Sequence, residues 1–521
     1  NSSDLDYKAT DSLSANSGTI RDNATNDATL TLSSPGASGS IGSSKAIVID
    51  GIAPTVSSIS PTDNQSGVSI SDNISLIFSE KMNTSTIRMS NDNTTCTGTV
   101  QISSDNFSSC VRAAFTKEWT RQLGSSARDD GKGVAVDSSG NIYVTGFTEG
   151  ALDQNSSAGS YDSFLVKYNS SGTKQWTEQI GSSSDDYSYG LTVDSSGNIY
   201  ITGHTGGALD GISNSGEQDI LLIKYNSSGT KQWTKLLGGS RYEYGKAVAT
   251  DSSNNIYITG SNSGGEFDGL SSEGDSDIVL IKFYDNGTKQ WTIQFGTSSG
   301  DLAYGVAVDS SDNIYITGMT EGGLHENSSA GSQDIFLVKF NSAGTRQWTQ
   351  QLGTSASEYA YGITVDSLKN IYVTGYTTGA LEGSNAGGQD IFVAKVSNSG
   401  SYMWAKSAGT TADDSVNDIT ALDSNDIFIT GSFNPSMDIG IDLVNTAGYN
   451  DGYIARISSN GDWDWIESIG GNNYDYSMSI AASDQGHIAS TGGFAASVTK
   501  GSTTISSTAS LDLFVWEVDP L

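Results

Sequence analysis

The chain is dominated by one repeated stretch, first met at residues 133–146 as GVAVDSSGNIYVTG. Two short apolar runs that alternate with a period of two flank an Asp/Ser/Gly/Asn cluster, a pattern typical of two half-buried strands joined by a tight turn. The stretch therefore predicts a β-hairpin. Six further copies follow, the last two degenerate, at residues 191–203, 248–260, 306–318, 363–375, 420–431 and 481–492.

A second hairpin accompanies each copy, and it is clearest at residues 162–181, DSFLVKYNSSGTKQWTEQIG. Its second strand carries a Trp, and successive Trp residues of this kind lie 57, 57, 58, 57, 56 and 61 positions apart. A period in this range, with four strands and no helical pattern per unit, is typical of propeller blades. We therefore predict an all-β, seven-bladed β-propeller with four strands per blade. The marker residues are Trp119, Trp176, Trp233, Trp291, Trp348, Trp404 and Trp465.

The order of the strands predicts how the ring closes. We label the four strands of a unit A (VAVD), B (NIYVTG), C (DIFLVKF) and D (KQWTKLLG), in chain order. The strand of Trp119 precedes the first strand A, whereas the last unit ends after a strand C at residues 512–518. We expect the N-terminal strand to complete the last blade, because this leaves no free sheet edge.

Residues 1–115 carry a different pattern of short alternating runs between Gly- and Ser-rich turns. Residues 51–115 contain APTV, a DNQSGV turn and a strand ending in FSEKM, and residues 1–50 contain GTIRDNATNDATLTL. These motifs resemble the opening and the closing half, respectively, of S-layer-type bacterial Ig-like domains. The resemblance implies two partial β-sandwich segments, 1–50 and 51–115. We expect these either to pack together or to complement a neighbouring chain in a head-to-tail polymer.

Residues 116–521 resemble the bacterial seven-bladed β-propeller (SBBP) repeat family. The resemblance rests on YGVAVDSSDNIYITG at residues 304–318, DIFLVKFNSAGTRQW at residues 334–348 and the WTRQLG strand at residues 119–124, and it is strongest over residues 116–396. It implies a propeller domain over residues 116–521. A family of this kind implies a fold and not a reaction.

Charge and cysteine content narrow the class of protein. The formal net charge is −33 at pH 7, which repels nucleic-acid phosphates and anionic membranes, so we expect no nucleic-acid partner. No apolar run approaches the roughly 18–20 residues of a membrane span. The acidic, turn-rich composition favours an extracellular or cell-surface location. In that setting Cys96 and Cys110 predict a disulfide, with two buried thiols as the alternative.

Acidic residues recur at fixed positions of the units. An Asp closes every strand A, and we assign it to turn chemistry because Asp accepts backbone N–H bonds and a catalytic group is needed only once. This set is Asp137, Asp194, Asp251, Asp309, Asp366, Asp423 and Asp484. We expect no cofactor. The alternative is calcium, which binds where several oxygen ligands converge, although the sequence has no EF-hand motif. The candidate cation ligands, in the connections between strands D and A, are Asp129, Asp130, Asp185, Asp186, Asp301, Asp413 and Asp414.

The repeated aromatic residues favour packing between neighbouring blades over a row of sugar-stacking platforms, because aromatic side chains bury the most area. They comprise the strand D Trp residues and the strand B residues Tyr143, Tyr200, Tyr257, Tyr315 and Tyr372. We expect the lysine of strand C to face solvent or to pair with an Asp of its blade, which contributes little to stability. This set is Lys167, Lys224, Lys282, Lys339 and Lys395.

No catalytic constellation stands out in the sequence. The three histidines, His204, His325 and His487, fall in different units without zinc-site spacing, and there is no G-x-S-x-G elbow or P-loop. We therefore assign no catalytic residue. The enzymatic alternative is a glycosidase, in which an acidic pair such as Asp185-Asp186 or Asp413-Asp414 would supply acid and base.

Three function classes follow. The favoured one is a non-enzymatic, extracellular structural or adhesive surface protein that self-associates through its Ig-like region, because such modules serve as stalks and joints. The others are a propeller that binds a surface glycan or protein, and the glycosidase. The loops between strands B and C are long and variable, whereas the A–B and C–D turns repeat. We expect any ligand, cation or partner on the rim that carries the B–C and D–A connections, here called the loop side.

Overall fold

The computed structural model describes residues 56–60, 75–78, 117–381, 385–439, 443–483, 486–500 and 503–518. Over these residues the chain is all-β, and none of it forms a helix long and apolar enough to cross a membrane. The chain divides into two compact units, Asn1–Ala113 and Ala114–Leu521. The first is described only by the antiparallel strands Val56–Ser60 and Ser75–Phe78. Cys96 and Cys110 lie outside the described residues, so the disulfide stays a prediction.

Seven four-stranded antiparallel sheets make up the second unit, and each sheet is one propeller blade. The predicted seven-bladed, four-stranded propeller is therefore confirmed. In blades 1 to 7, strand A comprises Asp129–Val136, Asp186–Val193, Glu243–Thr250, Asp301–Val308, Glu358–Val365, Ser415–Ala421 and Asp475–Ala482. Strand B comprises Ile142–Thr148, Ile199–Thr205, Ile256–Asn262, Ile314–Thr320, Ile371–Thr377, Asp426–Phe433 and Ile488–Phe494.

The outer half of each blade consists of strands C and D. Strand C comprises Asp162–Tyr168, Asp219–Tyr225, Asp277–Phe283, Asp334–Phe340, Asp390–Val396, Asp451–Ser458 and Asp512–Val518. Strand D comprises Lys174–Ile180, Lys231–Leu237, Lys289–Phe295, Arg346–Leu352, Tyr402–Ala408, Trp463–Ile469 and, for blade 7, Lys117–Leu123. Small hairpins decorate three B–C loops, formed by Glu266–Phe267 with Leu270–Ser271, Ser436–Asp438 with Leu443–Asn445, and Ser497–Lys500 with Thr503–Ser506.

The first strand of the propeller completes its last blade. Lys117–Leu123 pairs antiparallel with Asp512–Val518, from Lys117 opposite Val518 to Leu123 opposite Leu513. The predicted closure by the N-terminal strand is therefore confirmed. Trp119, which is 5% exposed, packs in one cluster with Val134 and Val144 of blade 1, so the closing strand also seals the interface between the last and first blades.

The hydrophobic core lies between consecutive blades. Strands B and C are buried along almost their whole length, because a blade has a neighbour on each face and both sets of alternating side chains are covered. Each hydrophobic cluster accordingly combines two blades; one joins Phe428 and Ile454 of blade 6 to Phe514 and Trp516 of blade 7. No blade holds a complete core of its own.

The lysine of strand C contacts the next blade instead of facing solvent, and in blade 3 the expected pairing with an Asp of the same blade also occurs, with Lys282 Nζ 4.0 Å from Asp251 Oδ2. In blades 1 to 5 its ammonium group lies 5.0 to 5.2 Å from the ring centroid of the strand B tyrosine. The same group donates a hydrogen bond of 2.8 to 3.2 Å to a backbone carbonyl in the C–D turn of the following blade. Burial lowers the pKa of Lys282 and Lys395. The cation–π contact holds the ammonium group against its own blade, and the charge-assisted hydrogen bond links it to the next blade.

The strand D tryptophan packs on the C–D turn of the next blade. The indole Nε1 of Trp119 donates to the Ser170 carbonyl at 3.2 Å, and that of Trp404 donates to the Ser459 carbonyl at 3.1 Å. Gly229 of the corresponding turn in blade 2 has φ +85°, and a Cβ there would lie 2.9 Å from the Trp176 ring. Glycine is needed at this position both for the left-handed backbone and for the close approach of the ring.

Closure by the N-terminal strand makes a testable prediction about stability. Trp119→Ala removes a buried Trp at the closing interface and should cost about 3–5 kcal/mol, the usual range for such a truncation. Deleting residues 117–123 should lower the melting temperature further, because it also exposes the edge of Asp512–Val518. Gln347→Ala, on the exposed face of another strand D, is the control and should melt like the wild type. An unchanged melting temperature after the deletion would contradict the closure.

Candidate ligand-binding site in the central channel

Every strand A contains one β-bulge at the same place. In blade 1 the pairing of strands A and B shifts register between Gly131 and Gly133, which leaves Lys132 without a partner in the ladder. A bulge bends its strand and redirects the extra side chain. The same shift occurs in the other six blades. The seven bulge residues are Lys132, Tyr189, Lys246, Tyr304, Tyr361, Asn417 and Met478.

These seven side chains line one cavity of about 520 Å³ in the central channel of the ring. Each is partly exposed, whereas the residues around it in strand A are mostly buried. The residue after each bulge also lines the cavity, and five of the seven are Gly or Ala. Gly190 shows why: a Cβ there would lie 2.9 Å from the Cα of Ala247 in the next blade, so the inner strands approach each other closely.

The residue at the bulge differs in chemistry from blade to blade, whereas the sequence around it repeats. It holds two Lys, three Tyr, one Asn and one Met, whereas the following strand A residues are almost uniformly small and then β-branched or Leu. A symmetric scaffold thus carries an asymmetric ring of side chains. This ring was not predicted from the sequence. The variable residue directly before the repeated GVAV is the sequence signal that could have indicated it.

Blade 1 supplies a charged cluster at the loop-side end of the cavity. Asp130 Oδ2 accepts a hydrogen bond from the Tyr476 hydroxyl at 2.8 Å and lies 3.0 Å from both Arg128 Nη2 and Lys132 Nζ. The Lys132 ammonium also lies 5.5 Å from the ring centroid of Phe147. Asp130 is fully buried, and these two cations compensate its negative charge.

Lys246 of blade 3 lies among aromatic rings. Its ammonium lies 4.4 Å from the ring centroid of Tyr189 and 5.3 Å from that of Tyr244. Burial, with the positive charge of Lys132 nearby, lowers the pKa of Lys246 to about 8. None of the salt bridges or hydrogen bonds of the described residues involves its ammonium group.

A connected group of aromatic side chains surrounds the lysines on the loop side. The Tyr187 ring contacts Phe147 at 4.9 Å, Tyr161 at 5.1 Å and His204 at 5.0 Å between centroids. His204 also meets Tyr244 edge-on at 4.9 Å. Burial, with Lys246 nearby, lowers the pKa of His204 to about 3, so the imidazole is uncharged at neutral pH.

Blades 4 and 5 contribute a second, uncharged aromatic group. The Tyr304 and Tyr361 rings, both at bulges, meet edge-on at 5.0 Å, and Tyr359 stacks on Tyr376 at 4.9 Å. Burial raises the pKa of Tyr304 and of Tyr361 to about 12, so both keep their hydroxyl protons at neutral pH. These rings offer apolar faces and neutral hydroxyl groups to the channel.

Blade 6 carries the one acidic side chain among the described residues that line the cavity. Asp418 Oδ2 accepts from Ser479 Oγ at 2.7 Å and from the Ile480 N–H at 3.0 Å, while Oδ1 accepts from the Ile419 N–H at 2.8 Å. Burial raises the pKa of Asp418 to about 6. Because Ser479 Oγ also accepts from the Val134 N–H, this network joins blades 6, 7 and 1.

Comparison with known proteins identifies the repeats. The sequence profile of the β-propeller repeat (SBBP) matches residues 118–152, 175–209, 232–268, 290–325 and 347–382, and that of a bacterial Ig-like domain matches residues 50–122. The chain carries SBBP propeller repeats and a bacterial Ig-like segment. The resemblance of the propeller repeats and that of residues 51–115 to a bacterial Ig-like domain are confirmed, whereas the resemblance drawn for residues 1–50 stays a prediction. The Ig-like match runs into Lys117–Leu123, which the structure places in blade 7 of the SBBP propeller.

Two curated proteins are similar in sequence to this SBBP propeller chain. The uncharacterized WD repeat-containing protein L264 of Acanthamoeba polyphaga mimivirus is 25% identical over 464 residues, covering 67% of this chain. The regulatory protein FlaEY of Caulobacter vibrioides is 26% identical over 398 residues, also covering 67% of this chain. This chain spans 33% and 41% of their respective lengths.

Two solved structures are distantly similar to the SBBP propeller. A polysaccharide lyase of family PL25, an ulvan lyase, has a TM-score of 0.41 at 14% identity and covers 71% of this chain and 93% of its own. The WD40 domain of Neurospora crassa Pan2 has a TM-score of 0.42 at 10% identity and covers 78% of this chain and 97% of its own. We base no functional conclusion on either.

The seven predicted cation ligands do not converge in the SBBP propeller. Asp129, Asp186 and Asp301 begin strand A, Asp414 directly precedes one, and the carboxylates of all four are buried. Asp130 belongs to the charged cluster of blade 1. Only the remaining two, Asp185 and Asp413, are partly or fully exposed in D–A connections. Over the described residues no group of three or more His, Cys, Asp or Glu side chains is arranged to hold a metal ion, and calcium stays a prediction.

The buried acids at the start of strand A cap the D–A connections instead. The Asp186 carboxylate accepts the backbone N–H of Ser182 at 2.5 Å, and the Glu243 carboxylate accepts that of Gly239 at 2.9 Å. Each lies near the Asp that begins strand C of the preceding blade, so that two buried carboxylates face each other between blades. Burial, with Asp219 nearby, raises the pKa of Glu243 to about 7. We call each such pair of buried carboxylates an acid pair.

The Asp residues that close strand A organise the A–B turns. Asp194 accepts from the backbone N–H groups of Ser196 at 2.9 Å and Asn198 at 2.8 Å, and from the Tyr200 hydroxyl at 3.0 Å. The same bonds recur at Asp137, Asp251, Asp309 and Asp366. Asp423 accepts two backbone N–H groups, and Asp484 lies outside the described residues.

The acid pairs predict that mild acid stabilises the propeller. A carboxyl group whose folded-state pKa is raised holds a proton that the unfolded chain releases, so the free energy of unfolding rises as the pH falls from the folded towards the unfolded pKa. Burial raises the pKa of Asp414 and Asp475 to about 6 and that of Glu243 to about 7. The melting temperature should therefore increase from pH 7.5 to pH 5.

Glu243→Gln should raise the melting temperature at pH 7.5 and reduce its pH dependence, because the amide cannot ionise but can still accept the Gly239 N–H bond. Asp185→Asn is the matched control, because it removes one charge from a D–A turn at a side chain that is not buried. Stability that falls steadily below pH 7, with Glu243→Gln titrating like the wild type, would refute the role given to the acid pairs.

Proposed function

We propose that this chain is a non-enzymatic, adhesive binding module of an extracellular surface protein, whose SBBP propeller holds a saccharide at the loop-side mouth of its channel. The observation that carries the proposal is the aromatic lining of that mouth. Tyr189, Tyr304 and Tyr361 point partly exposed rings into the cavity, and Tyr187 and Tyr244 adjoin them.

This lining suits a sugar ring. A pyranose presents one face of C–H groups and a perimeter of hydroxyls, so it packs on an aromatic face and hydrogen-bonds at its edge. Tyrosine supplies both an apolar face and a hydroxyl, with little conformational entropy to lose on binding. A cavity of about 520 Å³ lies within the usual range for small-ligand sites and would accommodate one or two sugar rings.

An exposed tyrosine pair on the loop side supports the same function. Tyr449 of the blade 6 B–C loop stacks on Tyr474 of the next D–A connection, with centroids 4.9 Å apart and ring planes at 9°. The residues are 55% and 57% exposed. Large rings that remain in water are costly unless a partner covers them, so this pair offers a second contact to a longer chain.

The cavity favours binding over hydrolysis. Canonical glycosidases use two carboxyl groups that flank the scissile bond. Among the described residues that line the cavity, Asp418 is the only carboxylate, and protein donors already occupy both its oxygens. This supports the non-enzymatic class over the glycosidase alternative.

The Ig-like segment supports the surface location in this proposal. Ig-like modules in bacterial surface proteins act as spacers and joints, which is an analogy at the level of fold. The segment would thus act as a spacer for the propeller at the cell surface.

Binding of saccharides by the full chain tests the proposal. A glycan array should yield a ligand whose affinity falls by about two- to tenfold in Tyr189→Ala and in Tyr361→Ala, which is what the loss of one aromatic contact costs. Tyr284→Ala is the matched control, because Tyr284 is 49% exposed in a C–D turn on the opposite rim. Release of reducing sugar from the ligand, or binding lost in the control alone, would refute the proposal.

Self-association through residues 1–115 is a separate prediction, on residues that lie almost wholly outside those described. Two partial sandwiches that complement each other between chains would give a concentration-dependent, open-ended assembly. Light scattering should then show a mass that grows with protein concentration for the full chain. The propeller alone, residues 114–521, should stay monomeric. A constant monomer mass for the full chain would contradict the prediction.

A further inference from the structure

The channel cavity presents two lysines in a strongly acidic protein. The chain has a formal net charge of −33, yet Lys132 and Lys246 both line the cavity, and burial with the positive charge of Lys132 lowers the pKa of Lys246. Lys132 shares Asp130 with Arg128, whereas the carboxylates of Glu149 and Asp185 lie near the outer rings of Tyr161 and Tyr187. Like charges in a partly desolvated site repel each other, so this arrangement is costly unless an anion balances it.

We infer that Lys132 and Lys246 form an anion subsite at the channel mouth, which takes the carboxylate or sulfate group of an acidic sugar. The inference rests on the proposed saccharide function and specifies its substrate class. Lys246 carries it, because the ammonium group lies over the Tyr189 and Tyr244 rings, while the salt bridges of the described residues do not include it. An oxyanion placed there would provide the missing charge-assisted partner.

The groups around Lys246 do not supply a negative charge of their own. His204 is uncharged at neutral pH, and Tyr189 holds its proton because burial raises the pKa of its hydroxyl. Asp418 lies in blade 6 and is not among the groups that shift the pKa of Lys246. The Lys132 ammonium shares Asp130 with Arg128, so its charge is only partly compensated.

The surroundings of the subsite select a sugar rather than a free ion. Tyr189 lines the same cavity as both lysines, and Leu191 and Val248 extend its wall. A ligand with a ring to stack and a carboxylate or sulfate on its edge would contact the aromatic wall and the two ammonium groups together. Neutral sugars would leave the lysine charges uncompensated.

Titration of the full chain with matched sugars tests the inference. D-glucuronate and D-glucose differ only in the carboxylate, and NMR titration at pH 7 and physiological salt should show that glucuronate binds about tenfold or more tightly, as expected for a charge-assisted contact. Lys246→Met should reduce glucuronate binding to the level of glucose. Lys246→Arg should retain most of it, because the charge remains.

Lys235→Met is the matched control, since it removes one lysine charge from strand D of the preceding blade, outside the cavity lining. It should bind glucuronate like the wild type, and no variant should melt below the wild type. Equal binding of both sugars, unchanged in Lys246→Met, would overturn the subsite and leave the saccharide function standing. Binding of inorganic sulfate or a glutamate-rich peptide that depends on Lys246, with neither sugar bound, would overturn the sugar class.

Discussion

The backbone pairing between Lys117–Leu123 and Asp512–Val518 is the interaction on which the rest of the structure depends. No blade has a complete core, because strands B and C bury both faces against neighbouring blades. The hydrophobic clusters, the lysine contacts and the tryptophan contacts all join one blade to the next. Without Lys117–Leu123, blade 7 would lose packing against both of its neighbours. Two chain segments almost 400 residues apart must therefore pair before the interface between blades 7 and 1 is complete.

Closure also explains where variation is tolerated. Most positions of a blade touch another blade, and each therefore keeps the residue type that fits its neighbour. The bulge residue of strand A has no ladder partner and faces the channel, so its side chain is released from this constraint. The seven bulge side chains therefore make the lining of the channel chemically asymmetric. The proposed binding site therefore lies where the scaffold constrains the side chain least.

The sequence was sufficient to predict the blades and their closure, because alternation and turn residues are local signals and Trp119 marks an unpaired strand D. Three other features depend on tertiary contacts or strand register, which one sequence does not reveal. Lys282 was expected to face solvent or to pair with an Asp of its blade; it lies 4.0 Å from Asp251 of its own blade, but it also reaches the turn carbonyl of Ser342 in the next blade, which was not predicted. Asp129 was taken as a rim residue, yet it begins a buried strand. The register shift at Lys132 depends on strand pairing, so the channel ring was missed.

The charge distribution gives the channel a specificity that neither its lysines nor its aromatic rings would confer alone. The acidic surface repels polyanions, but at physiological salt this repulsion is screened beyond about 8 Å. Lys132 and Lys246 act at contact distance inside the channel mouth, where screening by salt is weaker. A ligand with many closely spaced charges would meet the repulsive surface along its length, whereas one with a single acidic group beside a stackable ring would meet mainly the attractive site. At the proposed saccharide site, the negative surface would therefore favour sparsely charged acidic chains, and the same surface is the reason that we expect no nucleic-acid partner.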